Sequence, residues 1–119
     1  MPRRPAAMPL TDAELRIMHV LWARGECTTM DVVNAITRPK LARNTVMTTL
    51  GVLERKGYVR HRVDGRTFIF RAAVARDAAR KTVLENVLER FFDGSAEQLV
   101  SKLLDGNHIS EKDRKRIQK

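Results

Sequence analysis

The residues most able to do chemistry in this chain are short, neutral and hydrogen-bonding, and they repeat along one line. Asn44, Thr48 and Gly51 recur with Arg55 at helical spacing, flanked by Thr45, Met47 and Val52. At 100° per residue this line lies opposite Val46, Leu50 and Leu53, which follow i, i+4, i+7 and must face a core. A solvated face on a basic protein would carry Lys and Glu. This one is polar, short and nearly free of negative charge. Such side chains let a helix sit deep in a groove and hydrogen-bond to base edges or phosphates. The chemistry is recognition, not bond making. Catalytic sets are missing: there is no Ser/His/Asp set, no carboxylate pair in an apolar setting, no phosphate loop and no HExxH. His19, His61 and His108 fall on three different elements without ligand spacing, so no metal and no cofactor are expected.

Charge marks the same region. Residues 38–66 hold Arg38, Lys40, Arg43, Arg55, Lys56, Arg60, Arg62 and Arg66 against only Glu54 and Asp64, which is six of the chain's nine net positive charges. A pI near 10.6 points to a polyanionic partner. An anionic membrane surface fits poorly, because the basic residues do not alternate with exposed Leu, Phe or Trp. No apolar run approaches the ~20 residues of a membrane span. No secretory leader pattern opens the chain, and Cys27 is the single cysteine, so the expected home is the reducing cytoplasm. Cys27 itself reads as a small, partly buried hydrophobe.

The elements that must position the reading line follow from local signals. With 119 residues, the chain is one domain or one small domain with an appended element. Residues 1–9 hold three prolines with Arg3 and Arg4, and are expected to form a disordered arm. Thr11 and Glu14 make a capping box that opens the first helix. Leu15, Met18 and Trp22 form its apolar stripe, with Ile17 and Leu21 beside it, and Gly25 ends it. Thr28 and Thr29 start a second helix, where Asp31 suits the dipole. Val32, Val33 and Ile36 supply its inner face, and Pro39 stops it. The third helix runs from Ala42 or Arg43 to Lys56, with Gly57 beyond it. Gly51 costs that helix ~1 kcal/mol relative to Ala, and its outward position suggests that something approaches closely.

Tyr58–Val63 and Arg66–Arg71 alternate as two strands around Asp64-Gly65, a strong hairpin signal. With a two-residue loop, Val59, His61, Val63, Phe68 and Phe70 share a core face. Tyr58, Arg60, Arg62, Thr67, Ile69 and Arg71 share a basic face suited to phosphates. A slip of one residue would exchange the faces. Beyond the hairpin, a long helix from Ala75 to Phe92 carries Val83, Leu84, Val87, Leu88 and Phe91. Asp93-Gly94 breaks it. Ser95 to Gln98 reads as another capping box, opening a helix with Leu99, Val100, Leu103 and Leu104. Ser110 starts a last charged helix anchored only by Ile109 and Ile117. These helices hold more apolar residues than the little scaffold around them can cover, and mutual burial in a symmetric dimer explains the excess best.

The expected architecture is therefore mainly α with a small antiparallel β-hairpin. It comprises an N-terminal arm (1–9), a winged helix-turn-helix (10–73) and a C-terminal helical dimerisation region (74–119). In such a module the third helix enters the DNA major groove with the hairpin beside it. Arg43, Asn44, Thr45, Met47 and Thr48 are the expected base-reading turns. Arg55, Lys56, Arg60, Arg62 and Arg66 are the expected phosphate contacts. The alternative is a winged-helix protein-interaction module whose charge meets an acidic protein and whose third helix has no base specificity.

The chain also resembles a known family, the penicillinase and methicillin-resistance repressors. The likeness lies in LTDAELRIMHVLWARGECTTMDVVNAI, NTVMTTLGVLERKGYVRHRVDGRTFIF and GSAEQLVSKLL, and spans roughly residues 10–118. The stretches from Glu14 to Trp22 and from Thr45 to Gly57 carry its most specific motifs. The resemblance implies a bacterial, cytoplasmic, dimeric repressor of a dyad operator. It implies dimerisation through the C-terminal helices and release by proteolysis there, under a membrane sensor protease system. Three departures stand out. Val52 replaces a commonly basic residue. Lys102-Leu103 stands where staphylococcal members are cut at Asn-Phe. The cysteine-rich metal hook of copper-responsive relatives is missing from the tail.

Overall fold

The computed structural model describes residues Leu10 to Gln118; the expectations for residues 1–9, including Arg3 and Arg4, lie outside them. Six helices and three strands follow one another along the described chain. Helix α1 spans Asp12–Arg24, and Thr11 and Glu14 cap it reciprocally. Strand β1 is Cys27–Thr28, and α2 is Thr29–Ala35, capped by Thr28 and Asp31. Helix α3 is Arg43–Arg55, β2 is Val59–Asp64 and β3 is Thr67–Ala72. Helices α4 (Arg76–Phe91), α5 (Ala96–Asp105) and α6 (Glu111–Ile117) complete the chain. The chain forms two compact units that divide between Arg80 and Lys81, inside α4.

The first unit closes on Ile17, Met18 and Leu21 of α1, Val32 and Val33 of α2, and Val46, Leu50 and Leu53 of α3. Tyr58, Val59 and Phe70 join them from the hairpin base. All three predicted inner residues of α3 are fully buried, which turns the opposite line outward. The face of α1 differs from expectation. Leu15 is 38% exposed, and Trp22 only packs at the rim of the core. Glu14 takes the inner position with Ile17, Met18 and Leu21, because its carboxylate is answered by Lys56. Trp22 donates through Nε1 to the Val74 carbonyl at 2.8 Å, and the Arg76 guanidinium lies 5.7 Å from its ring centre.

The sheet has three strands in the order β1-β3-β2, all antiparallel. A two-residue strand such as β1 shows no alternation, so only the hairpin was legible. The hairpin register also differs from expectation. Asp64 pairs with Thr67, and the loop is Gly65-Arg66, not Asp64-Gly65. Gly65 takes φ +63°, and a tight hairpin turn needs such a φ at its first loop position. The change moves the pairing by one residue on each strand, so every side chain keeps its face. The core assignment of that face holds only at the base. Val59 and Phe70 are buried, whereas Val63 and Phe68 near the tip are 57% and 50% exposed.

In the second unit, Asp93 and Gly94 both take positive φ after α4. Ser95 accepts from the Gln98 N–H but lacks the reciprocal bond of a full capping box. Ser110 and Asp113 make one at α6. No residue described from Lys81 onward is buried.

Candidate nucleic-acid interface

Among the described residues, α1, α2, α5 and α6 receive a side-chain N-cap from a Thr or Ser, and α3 does not. Thr11, Thr28, Ser95 and Ser110 each accept a backbone N–H. Ala42 precedes α3 and offers no such oxygen, and no acidic residue sits in the first turn. The free N–H groups and the positive end of the dipole there suit an anion. Arg43, Asn44, Thr45, Met47 and Thr48 all lie exposed on these first turns. Among the described residues, no ion pair or side-chain hydrogen bond occupies Arg43, Asn44 or Thr48. Gly51 follows on the same side, and a Cβ there would meet only the tip of Arg55 at 3.9 Å. Among the described residues, nothing therefore requires glycine there.

The five expected phosphate contacts fall into different settings. Arg66, in the hairpin loop, lines a groove with Arg43 and Met47. Thr28, Thr29 and Met30 form a second wall of it, and Thr67 and Phe68 complete it. Arg55 is exposed on the last turn of α3. Arg60 is exposed on the solvent face of the sheet, across from Arg71. Arg62 lies on that face too, but it holds Glu26 through Nε at 2.9 Å and a second nitrogen at 3.3 Å. The pair lowers the Glu26 pKa and raises that of Arg62. Lys56 turns inward. Its ammonium reaches both Glu14 oxygens at 2.8 and 2.9 Å and is only 18% exposed. Burial alone would raise the Glu14 pKa, but Lys56 and the Thr11 N–H outweigh it and the net shift is downward. Lys56 therefore ties the end of α3 to the start of α1.

His61, expected on the core face, is exposed. Its Nδ1 lies 2.8 Å from the Glu54 carboxylate, and its ring stacks on Phe68 at 4.7 Å. Cys27 is buried, and burial followed by the Asp31 charge raises its thiol pKa, the opposite of what an activated thiolate needs. The residues that sequence reasoning missed are Thr28, Thr29, Met30, Thr67 and Phe68. Thr28 and Thr29 were legible only as a helix start, and Phe68 only as one member of an alternating apolar set.

A helix-turn-helix with an uncapped third helix, a basic hairpin and a groove between them invites comparison with known proteins. The penicillinase repressor family model matches residues 10–119. The chain belongs to the penicillinase repressor family. This is a family of winged-helix, DNA-binding transcriptional repressors, not of enzymes. The penicillinase repressor of Bacillus licheniformis is 26% identical over 102 residues, which cover 85% of this chain and 80% of that protein. The solution structure of the DNA-binding domain of the repressor BlaI superposes with a TM-score of 0.55 at 26% identity, covering 66% of this chain and 93% of that one. The Bacillus licheniformis BlaI monomeric form in complex with the blaP half-operator gives a TM-score of 0.51 at 26% identity, with 60% and 89% covered. Among the described residues, no helix is long and apolar enough to cross a membrane.

Proposed function

We propose that this member of the family is a dimeric, sequence-specific repressor that binds a dyad operator through α3 and the hairpin. The observation that carries the reading is the outward face of α3: uncapped, free of acid, unpaired, and set beside the groove that holds Arg43 and Arg66. Asn44 can pair bidentately with adenine, and Thr45, Thr48 and Met47 can meet thymine methyls or base-edge acceptors. Arg43, Arg55, Arg60 and Arg66 contact phosphates. Arg62 joins them only by giving up Glu26. Lys56 serves by holding α3 in place.

Dimerisation falls to residues 74–119. Val83, Leu84, Phe91 and Val100 are exposed, and Val87, Leu88, Leu99, Leu103 and Leu104 are only half-buried. A symmetric partner would cover them and place two reading helices about one DNA turn apart. Release follows from the same arrangement. A cut within α5, where Lys102-Leu103 stands, would detach Leu103 and Leu104 from the set. A membrane sensor protease system of the kind that the resemblance implies is the proposed agent.

The experiment is selection of bound fragments from genomic DNA, followed by titration of the best fragment and of random DNA against salt. A preferred dyad site, bound at least about 10³-fold more tightly than random DNA, is expected. Salt-dependent binding with no preferred site would favour the protein-interaction module instead.

A further inference from the structure

Three large apolar side chains stand in the open around the groove of the first unit. Met30 is 46% exposed, Met47 49% and Phe68 50%. They come from α2, α3 and β3 and line one groove of about 540 Å³ together with Arg43, Arg66 and three threonines, Thr28, Thr29 and Thr67. Among the described residues no carboxylate lines it, although the chain carries 14 acidic residues. A surface built only to hold phosphates needs no methionines. A surface built only for an apolar partner needs no guanidinium groups. The occupant must be anionic along one edge and apolar at another.

Duplex DNA meets that description in the major groove at an A·T pair. There the thymine C5-methyl projects between the phosphate rows beside hydrogen-bonding base edges. We propose that Met30, Met47 and Phe68 form an apolar receptor for thymine methyl groups, flanked by Arg43 and Arg66 on the phosphates. This inference rests on the DNA-binding reading above and deepens it, adding contacts from α2 and the hairpin to those of α3. The side chains suit the task. Methionine is flexible and polarisable, so two of them can close around a methyl group whose place varies slightly with sequence. Phe68 supplies a firmer wall, because its ring is backed by His61 and lies 6.4 Å from that of Phe70.

The test replaces thymines of the selected site by uracil, one at a time. Each replacement removes one methyl group and leaves charge and hydrogen bonding unchanged. Wild-type protein is expected to lose about three- to fivefold in affinity at one or two positions of each half-site, the worth of one buried methyl, with an unchanged salt slope. Met47→Ala and Phe68→Ala should bind the thymine and uracil forms alike at those positions, and Met30→Ala should show a reduced difference. All three should lose far less on random DNA than on the selected site, and unchanged cooperative unfolding reports that these exposed substitutions leave the fold intact. A preferred site without thymine-methyl sensitivity would overturn the receptor and leave the repressor reading standing. So would a sensitivity that survives all three substitutions, or variants that weaken every sequence equally. Absence of any preferred site would bring down both.

Discussion

Helices α3 and α5 are both amphipathic, and the chain treats them in opposite ways. Helix α3 sinks Val46, Leu50 and Leu53 wholly into its own unit, so only its polar line is left to meet a partner. Helix α5 presents Leu99, Val100, Leu103 and Leu104, and none of them is buried. One apolar face is satisfied at the cost of folding one chain. The other remains in contact with water in the single chain, and on the proposed dimer reading a second chain covers it. Concentration should therefore govern α5 and not α3.

The harshest way to break this contrast is to remove residues 95–119. The expected product is a monomer by light scattering that keeps the cooperative unfolding of the first unit. Its operator affinity should fall about 10²–10⁴-fold, because the two heads no longer share one effective concentration. A truncated protein with undiminished affinity would end the dimer mechanism.

Next come paired core truncations. Leu50→Ala should cost about 2–5 kcal/mol of stability at any protein concentration. Leu103→Ala should instead raise the dimer dissociation constant, by an amount worth about 1.5–3 kcal/mol if the side chain is fully covered, and should hardly move the unfolding of the first unit. Identical concentration dependence in both variants would erase the distinction drawn here.

Substitutions on the polar line are smaller. Asn44→Ala should weaken the preferred site by about 1–3 kcal/mol and random DNA very little. Equal losses would deny it a base-reading role.

The cations sharpen the comparison further. Arg66→Ala should reduce the slope of log affinity against log salt by about one unit. Lys56→Met should leave that slope unchanged and show itself in stability. Glu26→Gln frees Arg62 and should raise affinity for all DNA, with a steeper slope. A flattened slope in Lys56→Met would mean that its ammonium leaves Glu14 for DNA.

The mildest effect is on pH. Glu14 has a lowered pKa when folded, so the stability it contributes is complete above the ordinary carboxylate range. That part is lost as pH falls through the lowered folded value. Acid titration of unfolding should show this loss in the wild type and less of it in Lys56→Met.

How much of this was legible depended on range along the chain. Caps are local, so Thr11 with Glu14 fixed where α1 begins, and Thr28 with Thr29 marked the start of α2. The period of Val46, Leu50 and Leu53 correctly oriented α3. The pairing of Lys56 with Glu14 spans 42 residues, and no local signal announces it; by charge alone Lys56 looked like one more phosphate contact. Strand β1 was too short to alternate. Alternation placed Phe68 on the inner face of the hairpin, but could not say that the core ends at Phe70 and leaves the tip outside.

Trp22, anchored to the Val74 carbonyl and covered by Arg76, is the chain's one tryptophan, and Tyr58 its one tyrosine. Both belong to the first unit. Indole emission is thus a native optical label for the first unit alone, and the second unit is dark at that wavelength. Melting of the first unit and parting of the proposed dimer can be followed in one unlabelled sample, the first by fluorescence and the second by scattered light.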